Sequence, residues 1–176
     1  EALEGFERIL KYNPGDGPIY SKLGYIFMHP GYAVHSDEKA LEYMTKGLEL
    51  RPSNVFALYN TALLYLRMNR PAEAEGLLQR AIRLNPNYAI AHGLLGEIAL
   101  GQNRLDEAVV HFREALRLDA GRAAAYSVLA RSLALRQRWS ELNAILAAAE
   151  KNITDNLGPF FQAAKALLER GLELER

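Results

Sequence analysis

Apolar residues recur along this chain with the spacing of helices. In residues 89–118, AIAHGLLGEIALGQNRLDEAVVHFREALRL, they return every three or four positions on both sides of the polar segment GQNR. Such spacing predicts amphipathic helices joined by a turn. No segment shows sustained alternation of apolar and polar residues, so we expect essentially no β-sheet.

The helical pattern itself repeats every 34 residues, and a fixed period of this length indicates a repeat architecture. Small residues mark it in three columns: Ala62, Gly96 and Ala130, preceded by Gly24; Ala40, Ala74 and Ala108; Gly47, Ala81, Ala115 and Ala149. We predict one domain, 1–176, with repeats at 17–54, 55–88, 89–122 and, more divergent, 123–156. Residues 2–16 are then the second helix of a partial repeat, and 157–176 the first helix of a further repeat or a cap.

Two glycines fall inside the predicted helix that begins at residue 89, where each costs about 1 kcal/mol relative to alanine. Gly96 belongs to a column of small residues, so we attribute it to the close approach of two paired helices. Gly93 shares its column with Tyr59 and Ser127. We therefore expect Gly93 to open space on another face of the helix.

The order of residues within one period resembles the tetratricopeptide repeat (TPR). The best copy runs His92, Leu95, Gly96, Ala99, Ala108, Phe112 and Ala115, with Ala120 where the family usually has proline. Four copies in register cover nearly the whole chain. The resemblance implies an all-α fold, a right-handed superhelical solenoid of antiparallel helix pairs. The incomplete repeats at both ends lead us to expect a fragment of a longer TPR protein.

Composition narrows the classes of function. Basic and acidic residues number 21 each and are evenly spread, which argues against nucleic-acid binding, since phosphate contacts need unopposed cations. No apolar run approaches the roughly 20 residues that cross a bilayer, so we expect no direct membrane insertion. Cysteine is absent, which leaves the compartment open. We favour the cytoplasm, with the periplasm as the alternative if a leader was removed. Helices rich in arginine and alanine are typical of a bacterial source.

Candidate chemistry is sparse. The chain has no HExxH, Walker or dinucleotide-binding motif, so we predict no enzyme, no cofactor and no metal. The four histidines are His29, His35, His92 and His111. We expect His92 to fill a helix-packing position, because its column otherwise holds Tyr20, Leu58 and Tyr126. His111 is expected at the surface or an edge.

One segment departs from the repeat. Sixteen residues separate Gly24 from Ala40, whereas twelve separate Ala62 from Ala74, so four residues are inserted within 27–40. The side chains of His29, His35, Asp37 and Glu38 are of types that bind metals. We favour a longer loop in which Pro30 and Gly31 turn the chain while Ser36 and Asp37 cap the next helix.

In proteins that this chain resembles, the first helix of each repeat lines a concave groove that holds a peptide or a partner's helix. Carried over, the resemblance implies that the groove residues are Tyr25, Phe56, Tyr59, Asn60, Leu63, Arg67, Ile90, Leu94, Glu97, Val128 and Arg131. The alternative is that these residues pack against adjacent first helices or lie under a flanking segment. Of the clamp that grips chaperone carboxylates, only the asparagine is matched, by Asn60. The asparagine ladder of the sugar-transferase subclass is matched equally poorly.

We therefore predict a non-catalytic protein–protein interaction scaffold that binds a peptide or amphipathic helix mainly by apolar contacts. Two alternatives stay open. The chain is the targeting or substrate-recruiting arm of a larger enzyme whose catalytic domain lies outside these residues. Otherwise it is a self-assembly module that forms a homo-oligomer through exposed terminal helices, with Phe160 and Phe161 packing on a second copy.

Overall fold

The computed structural model describes residues 2–121, 123–153, 162, 164–166 and 168–170. These residues form nine α-helices: α1 Ala2–Tyr12, α2 Gly17–Met28, α3 Asp37–Leu50, α4 Val55–Arg67, α5 Pro71–Leu84, α6 Ala89–Gly101, α7 Leu105–Leu118, α8 Ala123–Leu135 and α9 Trp139–Asn152. No strand occurs in the described part of the chain, which confirms the predicted all-α class. Phe160 and Phe161 lie outside the described residues, as does most of the helix predicted at 157–176.

The chain divides into two compact units, Glu1–Pro86 and Asn87–Arg176. In the first unit α2 packs against α3 and α4 against α5, while α3 also contacts α4. In the second unit α6 packs against α7 and α8 against α9, and α7 contacts α8. Short connections make neighbouring helices antiparallel. Each of these four pairs lies inside one predicted repeat, whereas the repeat boundaries themselves stay a prediction.

The small residues allow paired helices to approach closely. A Cβ atom added at Gly96 of α6 would lie 2.9 Å from Cε1 and Cζ of Phe112 on α7, closer than carbon atoms pack without strain. At Gly47 of α3 an added Cβ would lie 2.7 Å from the hydroxyl of Ser21 on α2. The packing explanation for Gly96 is confirmed. At Gly93 an added Cβ would have nothing within 4 Å beyond its own local backbone, as expected for a glycine that opens space.

Each unit has an apolar core between its helices. In the first unit, one buried cluster joins Phe27, Met28, Ala40, Met44 and Leu64. In the second, the buried set includes Phe112, Leu129, Leu133, Leu142 and Leu146, together with Ala164 and Leu168. Complete burial of one such large side chain contributes about 1.5–3 kcal/mol. Most of the stability of these short helices therefore comes from packing rather than from helix propensity.

Three of the turns between paired helices share one backbone geometry. The residue in the left-handed region is Asn69, Asn103 or Gln137, with φ of 57°, 59° and 55°. The helix that follows begins two residues later in each case, after Arg70, Arg104 or Arg138. Serine is a favoured N-cap residue, but Ser140 lies at the second position of α9 and does not cap it. The N-cap of α9 is Arg138, without a capping hydrogen bond from its side chain, because the turn at Gln137 places the helix start at Trp139.

Candidate partner-binding surface

The inserted segment is a closed loop, residues 29–36, between α2 and α3. The backbone N–H of Ser36 donates to the carbonyl of Phe27 at 2.9 Å, which brings the two ends of the loop together. The Ser36 hydroxyl accepts from the N–H of Lys39 at 3.3 Å and donates to Glu38 at 3.0 Å. Hydrogen bonds from the Glu38 backbone N–H and from Ser36 lower the pKa of the Glu38 carboxyl. Ser36 thus caps α3, as predicted.

Arg67 at the end of α4 holds this loop. Its Nη1 donates to the carbonyl of Met28 at 2.8 Å, and its Nε donates to Oδ2 of Asp37 at 3.1 Å. Its Nη2 pairs with the other oxygen of Asp37 and lies 3.2 Å from Nε2 of His35. A two-pronged guanidinium–carboxylate contact fixes orientation as well as distance. The sequence predicts Arg67 as a groove residue, yet its guanidinium is engaged with the insertion of its own unit.

Asn60 is also engaged within its own helix. The residue is only 3% exposed, and its side-chain amide nitrogen donates to the carbonyl of Phe56 at 2.8 Å. The neighbouring Tyr59 and Leu63 are half-buried. Direct contact between Asn60 and a partner stays a prediction, and the burial of this residue does not favour it.

Tyr25 and Phe56 are the predicted groove residues of the first unit that present large apolar surface. Tyr25 on α2 is 39% exposed and Phe56 on α4 is 51% exposed, with ring centroids 6.0 Å apart. Rings that remain exposed beside one another are characteristic of interaction sites. The structure therefore brings together two aromatic side chains that are 31 residues apart in the sequence.

Two further rings extend this pair into the insertion. The ring of His29 lies 6.1 Å from that of Tyr25, and the ring of Tyr32 lies 5.2 Å from that of His29. We name Phe56, Tyr25, His29 and Tyr32 the aromatic row. The last two are not predicted groove residues. The spacing of Tyr25 and His29, four apart at the end of a helix, is the sequence signal for their contact.

The helices that carry the row contribute little charge. Neither α2 nor α4 contains Asp or Glu, and their basic residues are Lys22 and Arg67. The ammonium of Lys22 lies 5.8 Å from the centre of the Phe6 ring, and Arg67 is paired with Asp37. A surface of this kind favours an apolar or aromatic ligand over a highly charged one.

The predicted groove residues of the second unit present less apolar surface. Ile90, Leu94 and Val128 are half-buried, and Val128 packs against the core of its unit. Glu97 and Arg131 are exposed. Among the described residues of this unit, the exposed large apolar ones are Val110 and Leu135, which are not predicted groove residues. The aromatic row is therefore the stronger candidate.

Metal binding and membrane insertion receive no support from the described residues. Within them, no group of three or more histidine, cysteine, aspartate or glutamate side chains is placed to hold a metal ion. None of the helices described has the length and apolarity needed to span a membrane.

Comparison with known proteins gives one family. A tetratricopeptide-repeat family model matches residues 59–123. Heat shock protein STI1 of Saccharomyces cerevisiae is 30% identical over 124 residues, which are 68% of this chain and 21% of that protein. Protein O-mannosyl-transferase Tmtc3 of Drosophila melanogaster is 28% identical over 166 residues, 93% of this chain and 18% of that protein. This chain thus spans about a fifth of the length of these curated relatives.

Among solved structures, that of YrrB, a TPR protein, is similar to this chain with a TM-score of 0.76. The similarity covers 98% of this chain and 89% of YrrB, at 21% sequence identity. At that identity it establishes the fold and nothing more specific.

Proposed function

Because the chain belongs to the tetratricopeptide-repeat family, we propose that it is a non-catalytic scaffold that binds a peptide or helix of a partner in a groove lined by first helices. Contacts are mainly apolar. The observation that carries this proposal is the aromatic row of the first unit, where α2, α4 and the insertion present four adjacent rings.

The energetics of the row suit a peptide. Burial of a whole aromatic side chain removes about 150–250 Å² from water. The exposed portions of Tyr25 and Phe56 would therefore each contribute about 2 kcal/mol at about 25 cal/mol per Å², before ordering costs. Both rings stand on formed helices, so binding orders few additional side-chain torsions on this side of the interface.

Peptides are the first class of ligand to test. YrrB, which shares the fold, is described as having an unusual peptide-binding site. An extended peptide or one face of an amphipathic helix places side chains at regular intervals, and such side chains can contact successive rings of the row.

The test begins with selection of ligands from a random peptide library on the immobilised chain. The dissociation constant of the selected peptide is then measured by fluorescence anisotropy for the parent and for Tyr25→Ala/Phe56→Ala. We expect the double variant to bind at least about tenfold more weakly, since tenfold corresponds to 1.4 kcal/mol. Both side chains are exposed, so circular dichroism should show an unchanged helical content.

The matched control removes exposed apolar side chains elsewhere in the first unit. Tyr12→Ala/Leu84→Ala deletes one exposed aromatic and one exposed aliphatic residue, on α1 and α5. This variant should bind the peptide like the parent. Equal weakening by both double variants, or a library that yields no specific peptide, would reject the aromatic row as the recognition surface.

The alternative of a targeting arm has one observation in its favour. Tmtc3, whose name describes a transferase, is similar to this chain over 93% of the chain but only 18% of its own length. An arm of this kind would still bind its partner through the aromatic row, and the binding would recruit a substrate to the enzyme. This alternative requires a catalytic domain before residue 1 or after residue 176. The coding sequence on either side of these residues therefore tests it.

Self-assembly has weaker support. On α1, Tyr12 is 83% exposed and Ile9 is 43% exposed, which leaves an apolar edge for a second copy. Sedimentation across a range of concentrations tests this alternative, and a monomer at every concentration would reject it.

A further inference from the structure

The aromatic row carries hydrogen-bond donors as well as rings. Tyr25 and Tyr32 each present a phenolic hydroxyl, and neither hydroxyl makes a hydrogen bond within the described part of the chain. Nδ1 of His29 accepts from the backbone N–H of Gly31 at 3.4 Å. A ring nitrogen that accepts carries no proton, so the proton of the neutral ring is on Nε2. The Nε2–H group of His29 is therefore a third donor on this surface.

Strong acceptors are scarce beside the row. Neither α2 nor α4 has a carboxylate, and Asp37 at the start of α3 is paired with Arg67. The last three carbonyls of α2 already accept hydrogen bonds, namely those of Ile26, Phe27 and Met28. The complementary ligand therefore has apolar surface and free carbonyl groups, with few N–H groups of its own.

Among the conformations of a bound peptide, polyproline II has these properties. Its backbone makes no internal hydrogen bonds, so its carbonyls are free to accept, and a proline has no N–H to satisfy. In a helical ligand the carbonyls are bonded within the helix. An added β-strand needs a sheet edge, and the described residues contain no strand. Aromatic-lined grooves are the usual sites for proline-rich segments.

The dimensions of the row fit such a ligand. Successive ring centroids from Phe56 to Tyr32 lie 6.0, 6.1 and 5.2 Å apart, so the row is at most about 17 Å long. Polyproline II rises about 3.1 Å per residue, so residues two apart are separated by about 6 Å along its axis and about six residues cover the row. Adjacent ring planes are inclined by 45°, 57° and 52°. Rings at these angles do not cover one another's faces.

We propose that the ligand of the aromatic row is a proline-rich peptide in the polyproline II conformation. Its proline rings pack against the four rings, and its carbonyls accept from the hydroxyls of Tyr25 and Tyr32 and from Nε2 of His29. A polyproline II segment is largely formed before it binds, so it loses little conformational entropy. This inference rests on the proposed function, because it names the class of ligand for the same site.

The first test uses peptides of about twelve residues, selected on the immobilised chain from a random phage-displayed library. We expect proline to be enriched in the selected peptides relative to the unselected library. The selected peptide is then synthesised with each proline in turn replaced by alanine, which restores an N–H and removes the ring. At least one replacement should weaken binding about tenfold in fluorescence anisotropy, the equivalent of 1.4 kcal/mol.

The second test removes donors and keeps rings. In Tyr25→Phe/Tyr32→Phe the row retains its aromatic faces and loses two hydroxyls. We expect this variant to bind the selected peptide about tenfold more weakly, the usual effect of losing two neutral hydrogen bonds. The matched control is Tyr12→Phe, at an exposed tyrosine of α1 outside the row, which should bind like the parent.

The outcomes separate this inference from the proposed function. Selected peptides without proline enrichment that lose affinity in Tyr25→Ala/Phe56→Ala overturn the ligand class and leave the proposed function standing. Proline-rich peptides that bind Tyr25→Phe/Tyr32→Phe like the parent overturn it as well, because the free donors are then not used. A library that yields no specific peptide, or peptides that bind Tyr25→Ala/Phe56→Ala like the parent, reject both.

Discussion

Gly96→Ala and Gly93→Ala are the same substitution three residues apart in α6, and their difference in stability can be worked out from the structure. Alanine gains about 1 kcal/mol of helix propensity at both positions. The new Cβ at Gly96 meets three ring carbons of Phe112 at 2.9–3.0 Å, whereas that at Gly93 has open space. Overpacking costs about 1–3 kcal/mol. We expect Gly96→Ala to be less stable than Gly93→Ala by this amount, since the propensity gain cancels.

The free energy of unfolding is measured by urea titration followed at the helical circular dichroism band. A second substitution, Phe112→Leu, locates the cause. The neighbouring repeats pair alanine with leucine at the equivalent positions: Ala62 with Leu78, and Ala130 with Leu146. The double variant Gly96→Ala/Phe112→Leu rebuilds that pair, and we expect a favourable coupling of about 1 kcal/mol or more in the double-mutant cycle.

Two results would refute this reasoning. If Gly96→Ala and Gly93→Ala are equally stable, the Phe112 ring does not restrict Gly96. If the effects of the substitutions at Gly96 and Phe112 on the free energy of unfolding are additive, any loss of stability in Gly96→Ala does not come from the contact with Phe112.

Three further predictions concern the loop and the charged surface. Ser36→Ala should lower the free energy of unfolding by about 1 kcal/mol in urea titration, because it removes the cap of α3. The pKa of Glu141 is lowered mainly by its hydrogen bond from Arg138, so its small stabilisation is complete above the ordinary glutamate pKa of about 4.3 and declines as the pH falls below it. Glu141→Gln should lose that part of the acid response. Arg67→Lys should speed proteolytic cleavage within 29–36, because lysine cannot make the two-pronged contact with Asp37.

The fold follows from the sequence because packing imposes residue size at fixed intervals. Gly96 approaches Phe112 closely between paired helices, as Gly24 approaches Met44 in the first repeat. The equivalent positions of the other two repeats hold Ala62 with Leu78 and Ala130 with Leu146. Because this restriction on residue size repeats along the chain, the columns of small residues and the helices can be recognised from the sequence alone. Ser140 shows the limit, because the helix start is set by the left-handed residue at Gln137 rather than by the residue with the best capping side chain.

The candidate site is less accessible to sequence reasoning because it includes an insertion that the other repeats lack. Arg67 reaches Met28 and Asp37, which are 39 and 30 residues away. The second unit has a similar pair 30 residues apart, Arg136 with Asp106, but there the pattern contains no inserted loop for the arginine to hold. The family resemblance implies that Arg67 belongs to the groove, which stays a prediction, and the structure adds that its guanidinium holds the insertion. In the same way, His92 is correctly expected at a packing position. Its contact with His111 becomes visible only when both columns are read together.

The insertion and the aromatic row form one arrangement in the first unit. The rings of Tyr25 and Phe56 stand on helices, but those of His29 and Tyr32 stand on the loop that Arg67 and Asp37 fix. A regular three-residue turn, like the one at 68–70, would supply neither of the last two rings. The residues that conform to the 34-residue pattern therefore account for the fold. The residues that depart from this pattern lengthen an exposed aromatic surface in this unit and, in the other unit, place two histidines in contact. Deletion of periodic residues should accordingly unfold the chain, whereas changes confined to the insertion should alter binding first.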